Sequence, residues 1–261
     1  MNLWLIVRPL LSRLVRFFHI SLIEARSERS SSRLGILWAP LSTLIFAGLL
    51  TGVFHQQPLR EAGDFFLFVL SGYVLWNFIT ATVTTSTTVV QRRYDFAVHN
   101  NLTLVGLFFK LLIDRLFAMG LNLILLLGCL VIVKPQTIGL QLLLLPAMLL
   151  IMALVSLAIA YLVNVAVIFF PDLDAVFNVA MRLLFFASPV FWSAEAQGTG
   201  VRAVLATYNP ISHYLSVFRQ CFGIVPFEPM AWAVTLSLSL ILCVAGTATY
   251  RLTADFIRNL R

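Results

Sequence analysis

The sequence predicts an all-α integral membrane protein: six transmembrane helices preceded by an amphipathic interface helix, with two short re-entrant helices on the outer side between helices 5 and 6. Two observations predict this class. The 261 residues are 60% hydrophobic and only 11% charged, whereas soluble domains carry about 25% charged residues. Several apolar runs are also long enough to cross a bilayer core of about 30 Å. The chain is therefore expected to form one polytopic membrane domain.

The N-terminal segment, residues 1–33, alternates apolar clusters with Arg8, Arg13, Arg16 and Arg26. It is too charged to span a membrane, but this pattern is typical of an amphipathic helix that lies in the membrane interface. A soluble helix packed on a partner is the alternative. We treat this segment as an N-terminal cytoplasmic interface helix and residues 34–261 as the transmembrane domain.

Six apolar segments of the domain are expected to span the membrane: residues 34–54, 65–90, 111–133, a stretch within 140–170, 169–192 and 230–250. The fourth segment is longer than one crossing requires, which indicates tilt or protrusion. The second becomes rich in threonine at its end, in the run TATVTTSTTVV.

The basic residues between these spans predict the orientation, because cytoplasmic segments carry an excess of Lys and Arg. With the N-terminus inside, twelve lie in inner segments and four in outer ones. The inner set is Arg8, Arg13, Arg16, Arg26, Arg29, Arg33, Arg92, Arg93, Lys110, Arg251, Arg258 and Arg261, and the outer set is Arg60, Lys134, Arg202 and Arg219. Both termini are therefore predicted to be cytoplasmic.

The fifth span, FFPDLDAVFNVAMRLLFFASPVFW, carries charges that a bilayer disfavours. Pro171 and Pro189 are separated by about 27 Å of helix at roughly 1.5 Å per residue, close to one crossing. This spacing places Asp172 and Asp174 at the cytoplasmic entrance and leaves Arg182 in the membrane interior. Arg182 is expected either to meet an anionic group of a substrate or to snorkel or pair between helices.

The segment 193–229 between the last two spans is predicted to lie outside as two short amphipathic helices split at Asn209 and Pro210. Irregular backbone at membrane depth survives only where it is buried in protein or lines a wet cavity. A pair of half-inserted helices at the outer mouth of a pathway fits that rule.

Motifs of catalysis, nucleotide binding and metal binding do not occur in the sequence. The only lysines are Lys110 and Lys134, and there is no G-x-x-x-x-G-K-[ST], nucleophile elbow, H-E-x-x-H or C-x-x-C. We predict no catalytic and no metal-binding residue, so an ATP-driven process would need a separate ATPase chain. A membrane enzyme and a secondary carrier remain alternatives, although no acid lies near a midplane. The net charge of +7 reports membrane orientation rather than nucleic-acid binding.

Aromatic side chains are abundant, with 22 Phe, 6 Tyr and 5 Trp. Rings stack on sugar rings, and hydroxyl groups can follow a sugar chain, so aromatic and threonine residues of the spans form a candidate substrate pathway together with Arg182. Its members are Tyr73, Trp76, Phe78, Thr84, Tyr161, Arg182, Phe185, Phe186 and Trp192. The alternatives are lipid-facing or interfacial aromatics and small interhelical contacts for the threonines.

Four stretches carry a family resemblance: SSSRLGILWAPL, FLFVLSGYVLWNFI, FFPDLDAVFNVAMRLLFFASPVFW and YNPISHYLSVFRQCF. In order and spacing they resemble the membrane permeases of type-2 ABC exporters of polysaccharides. The resemblance implies a homodimer in the bacterial inner (cytoplasmic) membrane, with two ATP-binding subunits that bind ATP and Mg. It implies export of a lipid-linked polysaccharide, O-antigen first, with capsule, teichoic acid or a drug or lipid as alternatives.

The resemblance also implies roles for individual residues. ATPase-subunit docking is expected at Arg92, Arg93, Tyr94, Asp95, Asn100, Asp172 and Asp174. The alternative for these charges is a solvated membrane edge. An outer gate is expected at Tyr208, Asn209, Pro210 and Tyr214.

Overall fold

The computed structural model describes residues 19–20, 35–54, 62–91, 103–192 and 200–258. Within them, five helices are long and apolar enough to cross a membrane: Gly35–Phe54, Ala62–Thr84, Leu104–Val133, Leu140–Phe169 and Pro229–Ile257. The chain is therefore an all-helical multi-pass membrane protein over this part of its length. The predicted interface helix, apart from His19 and Ile20, and the predicted docking residues Arg92, Arg93, Tyr94, Asp95 and Asn100 lie outside the described residues.

Eight α-helices follow one another in the described ranges. They are α1 (Trp38–Phe54), α2 (Ala62–Thr84), α3 (Leu104–Val133), α4 (Leu145–Phe169), α5 (Leu173–Ala187), α6 (Val201–Tyr208), α7 (Pro210–Cys221) and α8 (Pro229–Arg258). Short 3-10 turns precede α1 at Gly35–Leu37 and separate α3 from α4 at Pro135–Thr137 and Leu140–Leu144.

The bundle has two ends that side-chain contacts identify. At one end the ammonium of Lys134 after α3 lies 2.6 Å from a carboxylate oxygen of Asp64 at the start of α2; we call this the Lys134 end. At the other end the Asn164 amide of α4 donates to Gln91 after α2, and Phe169 stacks on Phe256 of α8. We call it the Asp172 end, because that residue begins α5 there. Helices α2, α3 and α4 thus alternate in direction, and α8 runs in the same direction as α4.

Local sequence explains where several helices begin. The hydroxyl of Thr103 accepts a hydrogen bond from the Gly106 N–H at 3.1 Å and caps the start of α3. Proline stands in the first turn of α4 and of α7, where its missing N–H costs no helical hydrogen bond.

Helix α2 is the centre of the bundle. In its most apolar window 61% of the residues are buried, against 17–28% in the other four long helices. The outward faces of those four helices are largely apolar, as with Ile124, Leu150 and Leu240. Apolar outer surface around a central buried helix is what a lipid solvent favours.

The fifth helix is shorter than predicted. Residues 169–192 were expected to form one crossing, but α5 has 15 residues, or about 22 Å at roughly 1.5 Å per residue. Phe170 and Pro171 separate it from α4, and Ser188 and Pro189 end it. A helix of this length falls short of a bilayer core of about 30 Å, so α5 covers only part of the bundle's depth.

The two short helices predicted around Asn209 and Pro210 are present as α6 and α7. Gly223, just beyond α7, lies beside the Thr137 carbonyl at the Lys134 end. In the opposite direction the Tyr214 hydroxyl reaches Ser239 at 2.7 Å, a position about 15 Å into α8 from Pro229. Helix α7 therefore runs from the depth of the bundle to the Lys134 end, and the turn before it lies deep in the bundle.

Two residues counted as loop charges lie inside helices. Lys110 belongs to α3, where its ammonium is fully buried and pairs with Asp114 at 2.8 Å. Arg219 belongs to α7 and is also buried. The assignment of Lys110 to a loop was wrong, because apolar hydropathy windows locate a span but not the charged turns at its ends. Arg219 lies in the second of the two short amphipathic helices predicted for segment 193–229.

Candidate functional site: the broken helix and its aromatic surroundings

The deep turn joins two helix ends through one side chain. The Asn209 carbonyl oxygen accepts from the Ile211 N–H at 3.0 Å and caps the start of α7. Its amide donates to the Ser188 hydroxyl at 2.8 Å and to the Ala187 carbonyl at 3.3 Å, at the end of α5. Asn209 thus satisfies backbone groups of both α5 and α7. Helix α5 runs from the Asp172 end into the bundle, and α7 runs from the deep turn to the Lys134 end. Together they cross the bundle with an interruption at Asn209, and we call this pair the broken helix.

Arg219 fixes the irregular segment that follows α5. Its guanidinium donates to the Val190 carbonyl at 2.9 Å and to the Phe68 carbonyl of α2 at 3.1 Å. The guanidinium carbon also lies 3.5 Å from the centre of the Phe68 ring, a cation–π contact. The residue is only 3% exposed. Gly72 of α2 permits this approach, because a Cβ there would meet Arg219 and lie 2.9 Å from the Val190 carbonyl.

The sequence-based prediction did not include Arg219 in any site. The acceptors of its hydrogen bonds are backbone carbonyls, which have no residue-specific pattern, and they lie 29 and 151 residues away along the chain. The signal available in the sequence was the amphipathic stretch YNPISHYLSVFRQCF, in which Arg219 follows apolar residues.

Five of the predicted pathway residues lie together with three further rings. Ring centroids are 4.6 Å apart between Phe46 and Tyr73 and 5.5 Å apart between Trp76 and Phe185. The Trp192 indole N–H donates to the Phe186 carbonyl at 3.2 Å. This aromatic cluster of α1, α2, α5 and the segment after α5 comprises Phe46, Phe54, Tyr73, Trp76, Phe185, Phe186, Phe191 and Trp192.

Exposure differs sharply within the aromatic cluster. Trp76 and Trp192 are buried, at 5% and 8% exposure, whereas Phe186 is 66% exposed. The buried indoles pack against the other rings and helices. Phe186 is the member best placed to meet a substrate or a second subunit.

The other predicted aromatics lie elsewhere. Phe78 borders a small apolar cavity of about 150 Å³ together with Pro210 and Tyr214. Tyr161 lies toward the Asp172 end, where its ring packs against Phe108 and Tyr250 and its hydroxyl lies 2.9 Å from that of Thr253. The aromatic residues of the predicted pathway are therefore divided among three places rather than arranged along one continuous surface.

The threonine-rich end of α2 holds a buried arginine. The Arg115 guanidinium of α3 donates to the hydroxyls of Thr85 at 2.8 Å and Ser86 at 2.6 Å. The predicted pathway residue Thr84 donates its hydroxyl to the Thr80 carbonyl at 2.9 Å. Hydroxyl groups of this run bond within the bundle, as expected for small interhelical contacts.

The charges of α5 are on its surface. Arg182, predicted to lie at membrane depth, has an exposed side chain in the single chain, and Asp172 is exposed while Asp174 is half-buried. The carboxylate of Asp174 accepts from the Asn178 amide at 3.2 Å. Both acids lie at the Asp172 end, where α5 begins, and are accessible to a partner.

The predicted gate residues lie at or near the deep turn, but they differ in solvent exposure. Tyr208 is 80% exposed, whereas Asn209 and Tyr214 are buried. Pro210 supplies the first residue of α7. Three of the four therefore surround the joint between α6 and α7, and Tyr214 anchors α7 to α8 through Ser239.

Among the described residues no group of three or more His, Cys, Asp or Glu side chains could hold a metal ion. No family model matches the sequence, and no curated protein matches it either. The arrangement of the broken helix is thus the main guide to function.

Proposed function

We propose that this chain is the membrane permease subunit of a type-2 ABC exporter that moves a lipid-linked polysaccharide, O-antigen in the first instance, across the bacterial inner membrane. ATP and Mg would be bound by two separate cytoplasmic subunits, and two copies of this chain would enclose the pathway. The observation that carries the proposal is the broken helix, joined at Asn209 in the depth of an otherwise apolar bundle.

The broken helix supports a transport function for a physical reason. Unwound backbone at membrane depth is tolerated where it is buried in protein or lines a cavity, and interrupted helices in transporters mark binding and gating segments. In the proposal, the Asp172 end faces the cytoplasm and α6 and α7 are the outer, re-entrant gate.

The exposed face of α5 supports a second copy of the chain. Val176, Val179, Leu183 and Phe186 are all more than half exposed, and their spacing places them on one face of the helix. Arg182 is exposed near this face. An arginine beside an apolar stripe is better accommodated against another protein surface with a hydrated pathway than against lipid tails.

Other cargoes remain candidates for the same architecture. Capsular polysaccharide, teichoic acid, a drug or a lipid could pass through such a permease, and a non-ABC secondary carrier is the lower alternative. Among the described residues, Asp64, Asp174 and Asp255 lie near helix ends and Asp114 of α3 is paired with Lys110, a distribution that disfavours ion coupling. Polysaccharide is preferred because of the aromatic residues at the exposed edges of the bundle.

Gene deletion in the source cells tests the cargo, and affinity purification tests the partner. We expect deletion to abolish the surface polysaccharide and the full-length chain to retain an ATP-binding subunit during purification.

Changing Asp172 and Asp174 to Ala should lower the amount of that co-purified subunit at least threefold. Glu228→Ala, an exposed acid at the Lys134 end, is the matched control. Normal surface polysaccharide after deletion, or purification without an ATPase, contradicts the proposal.

A further inference from the structure

A wide cleft lies between α7, the end of α6 and the first turns of α8. Its volume is about 1070 Å³, at the upper end of the roughly 300–1,000 Å³ typical of small-molecule sites. It opens beside the broken helix, and Phe68 of α2 and Pro189 after α5 also line it. None of the predicted pathway residues lines it.

Helix α7 presents a polar stripe to this cleft. Ser212, His213, Ser216 and Arg219 line it, at intervals of one, three and three residues that place them on one side of the helix. The other side of α7 is buried and apolar, with Leu215, Val217 and Phe218 at 0% exposure. The amphipathic pattern that was predicted from the sequence therefore directs its polar side into the cleft.

The polar side chains keep hydrogen-bonding capacity beyond their contacts within the chain. A hydroxyl offers one donor and two acceptor positions; Ser216 accepts one bond from Gln220. One ring nitrogen of His213 lies 3.2 Å from the Thr207 carbonyl, and the imidazole has a second ring nitrogen. Since this stripe begins at the deep turn, an occupant there must offer polar groups rather than an acyl chain.

The edge of the cleft adds aromatic rings and a carboxylate. Tyr208 and Phe227 are exposed, and Glu228 follows Phe227 directly. A sugar ring presents C–H groups that pack on the negative face of an aromatic ring and hydroxyls that bond to Ser, His and Glu. Acidic and basic side chains are both present, so a strongly charged polymer is not favoured.

We propose that this cleft binds a short segment of a neutral polysaccharide at the Lys134 end of the permease. The inference rests on the proposed function and deepens it, because it moves sugar recognition from the packed aromatic cluster to the polar side of α7. The cleft adjoins α6 and α7, which the proposed function assigns to the outer gate.

Two tryptophan substitutions on neighbouring residues of α8 test the site. Val234 lines the cleft, whereas Ala233 is exposed and does not. The probe is the polysaccharide released by mild acid from the surface of the source cells. Its binding to the purified full-length chain is measured by equilibrium dialysis, with Val234→Trp expected to weaken binding at least tenfold and Ala233→Trp to change it less than twofold.

A double variant that preserves cleft volume covers the case in which Val234→Trp does not fold. His213→Gln with Glu228→Gln removes ionisable groups from the cleft and should weaken binding at least threefold at an unchanged unfolding temperature. Equal binding in all variants, or no binding to the wild-type chain, overturns the proposal. So does disulfide cross-linking of Val234→Cys between two copies, which would show that a second copy fills the cleft.

Deletion of the gene is scored separately, which keeps the two proposals distinguishable. Loss of surface polysaccharide together with unchanged binding by Val234→Trp would retain the export function and remove the cleft. Cleft-dependent binding in cells whose surface polysaccharide survives deletion would retain the glycan site and remove the export function.

Discussion

Two buried arginines, Arg115 and Arg219, lie toward opposite ends of α2 and are held by different kinds of acceptor. Side-chain hydroxyls of Thr85 and Ser86 accept from Arg115 near the Asp172 end. Backbone carbonyls of Phe68 and Val190 accept from Arg219 near the Lys134 end. Both cations lie in the depth of an apolar bundle, yet one is surrounded by regular helices and the other by an interrupted one.

The two regions stabilise a buried guanidinium in different ways. Regular helices engage their own carbonyls, so the bundle supplies Arg115 with hydroxyls from a threonine-rich run. The segment after α5 leaves the Val190 carbonyl outside any helix, and Arg219 occupies that acceptor. Arg219 therefore stabilises the broken helix itself, whereas Arg115 joins α3 to α2.

The largest expected effect comes from Arg219→Leu. It removes charge-assisted hydrogen bonds to two carbonyls, each worth about 1.5–3 kcal/mol, and leaves the Val190 carbonyl buried. We expect the free energy of unfolding to fall by about 3 kcal/mol or more. SDS-induced unfolding of the full chain in mixed micelles measures it. Arg202→Leu, at an exposed position of α6, is the control and should change stability by less than about 0.5 kcal/mol; equal effects would contradict the role of Arg219.

Gly72→Ala disturbs the same region by size rather than by charge. The added methyl group would meet Arg219 and lie 2.9 Å from the Val190 carbonyl, so α2 and the segment after α5 must separate. Overpacking of this kind costs about 1–3 kcal/mol. Gly120→Ala in α3 is the matched control, because a Cβ there has no neighbour within 4 Å.

The Gly72 comparison is decided in the same unfolding measurement. Gly120→Ala should leave the free energy of unfolding unchanged or raise it, since alanine favours helix more than glycine does. If Gly72→Ala is as stable as Gly120→Ala, the close approach of Arg219 and Val190 to α2 does not limit stability.

Much of this fold could be predicted from hydropathy and helix-capping residues. The long apolar runs locate α1 to α4 and α8, and the Asn209–Pro210 pair marks a helix start because Asn caps and Pro occupies the first turn. The length of α5 could not be predicted, because the apolar run continues through Val190, Phe191 and Trp192 after the helix has ended. Hydropathy measures solvent preference, not the point at which backbone leaves the helical conformation.

The candidate site was predictable only in part, for a related reason. Aromatic residues could be found by type, and Tyr73, Trp76, Phe185, Phe186 and Trp192 do lie together. Composition could not predict which of these aromatic rings are buried against other rings and which are exposed. The hydrogen-bond partners of Arg219 could not be predicted, because backbone acceptors have no residue-specific pattern and only its place in an amphipathic stretch was visible. For Arg115 a trace existed: a run of hydroxyl residues precedes a span that contains an arginine.

The smallest expected effect is that of Ser86→Ala, and it addresses the other arginine. The Ser86 hydroxyl accepts from Arg115 at 2.6 Å and donates to the Thr82 carbonyl at 2.6 Å. Its removal leaves Arg115 bonded to Thr85, so the guanidinium keeps a nearby hydroxyl acceptor. The free energy of unfolding should therefore fall by about 1 kcal/mol, less than for Arg219→Leu.

Ser237→Ala is the matched control for this change, because its exposed hydroxyl donates to the Ala233 carbonyl within α8 and has no arginine beside it. Unfolding in mixed micelles should distinguish the two serine variants by about 1 kcal/mol. If Ser86→Ala lowered the free energy of unfolding as much as Arg219→Leu, the hydroxyl acceptors around Arg115 would be as necessary for stability as the two carbonyls that bind Arg219. That result would contradict the contrast between Arg115, which has several side-chain acceptors, and the broken helix, which depends on the guanidinium of Arg219 alone.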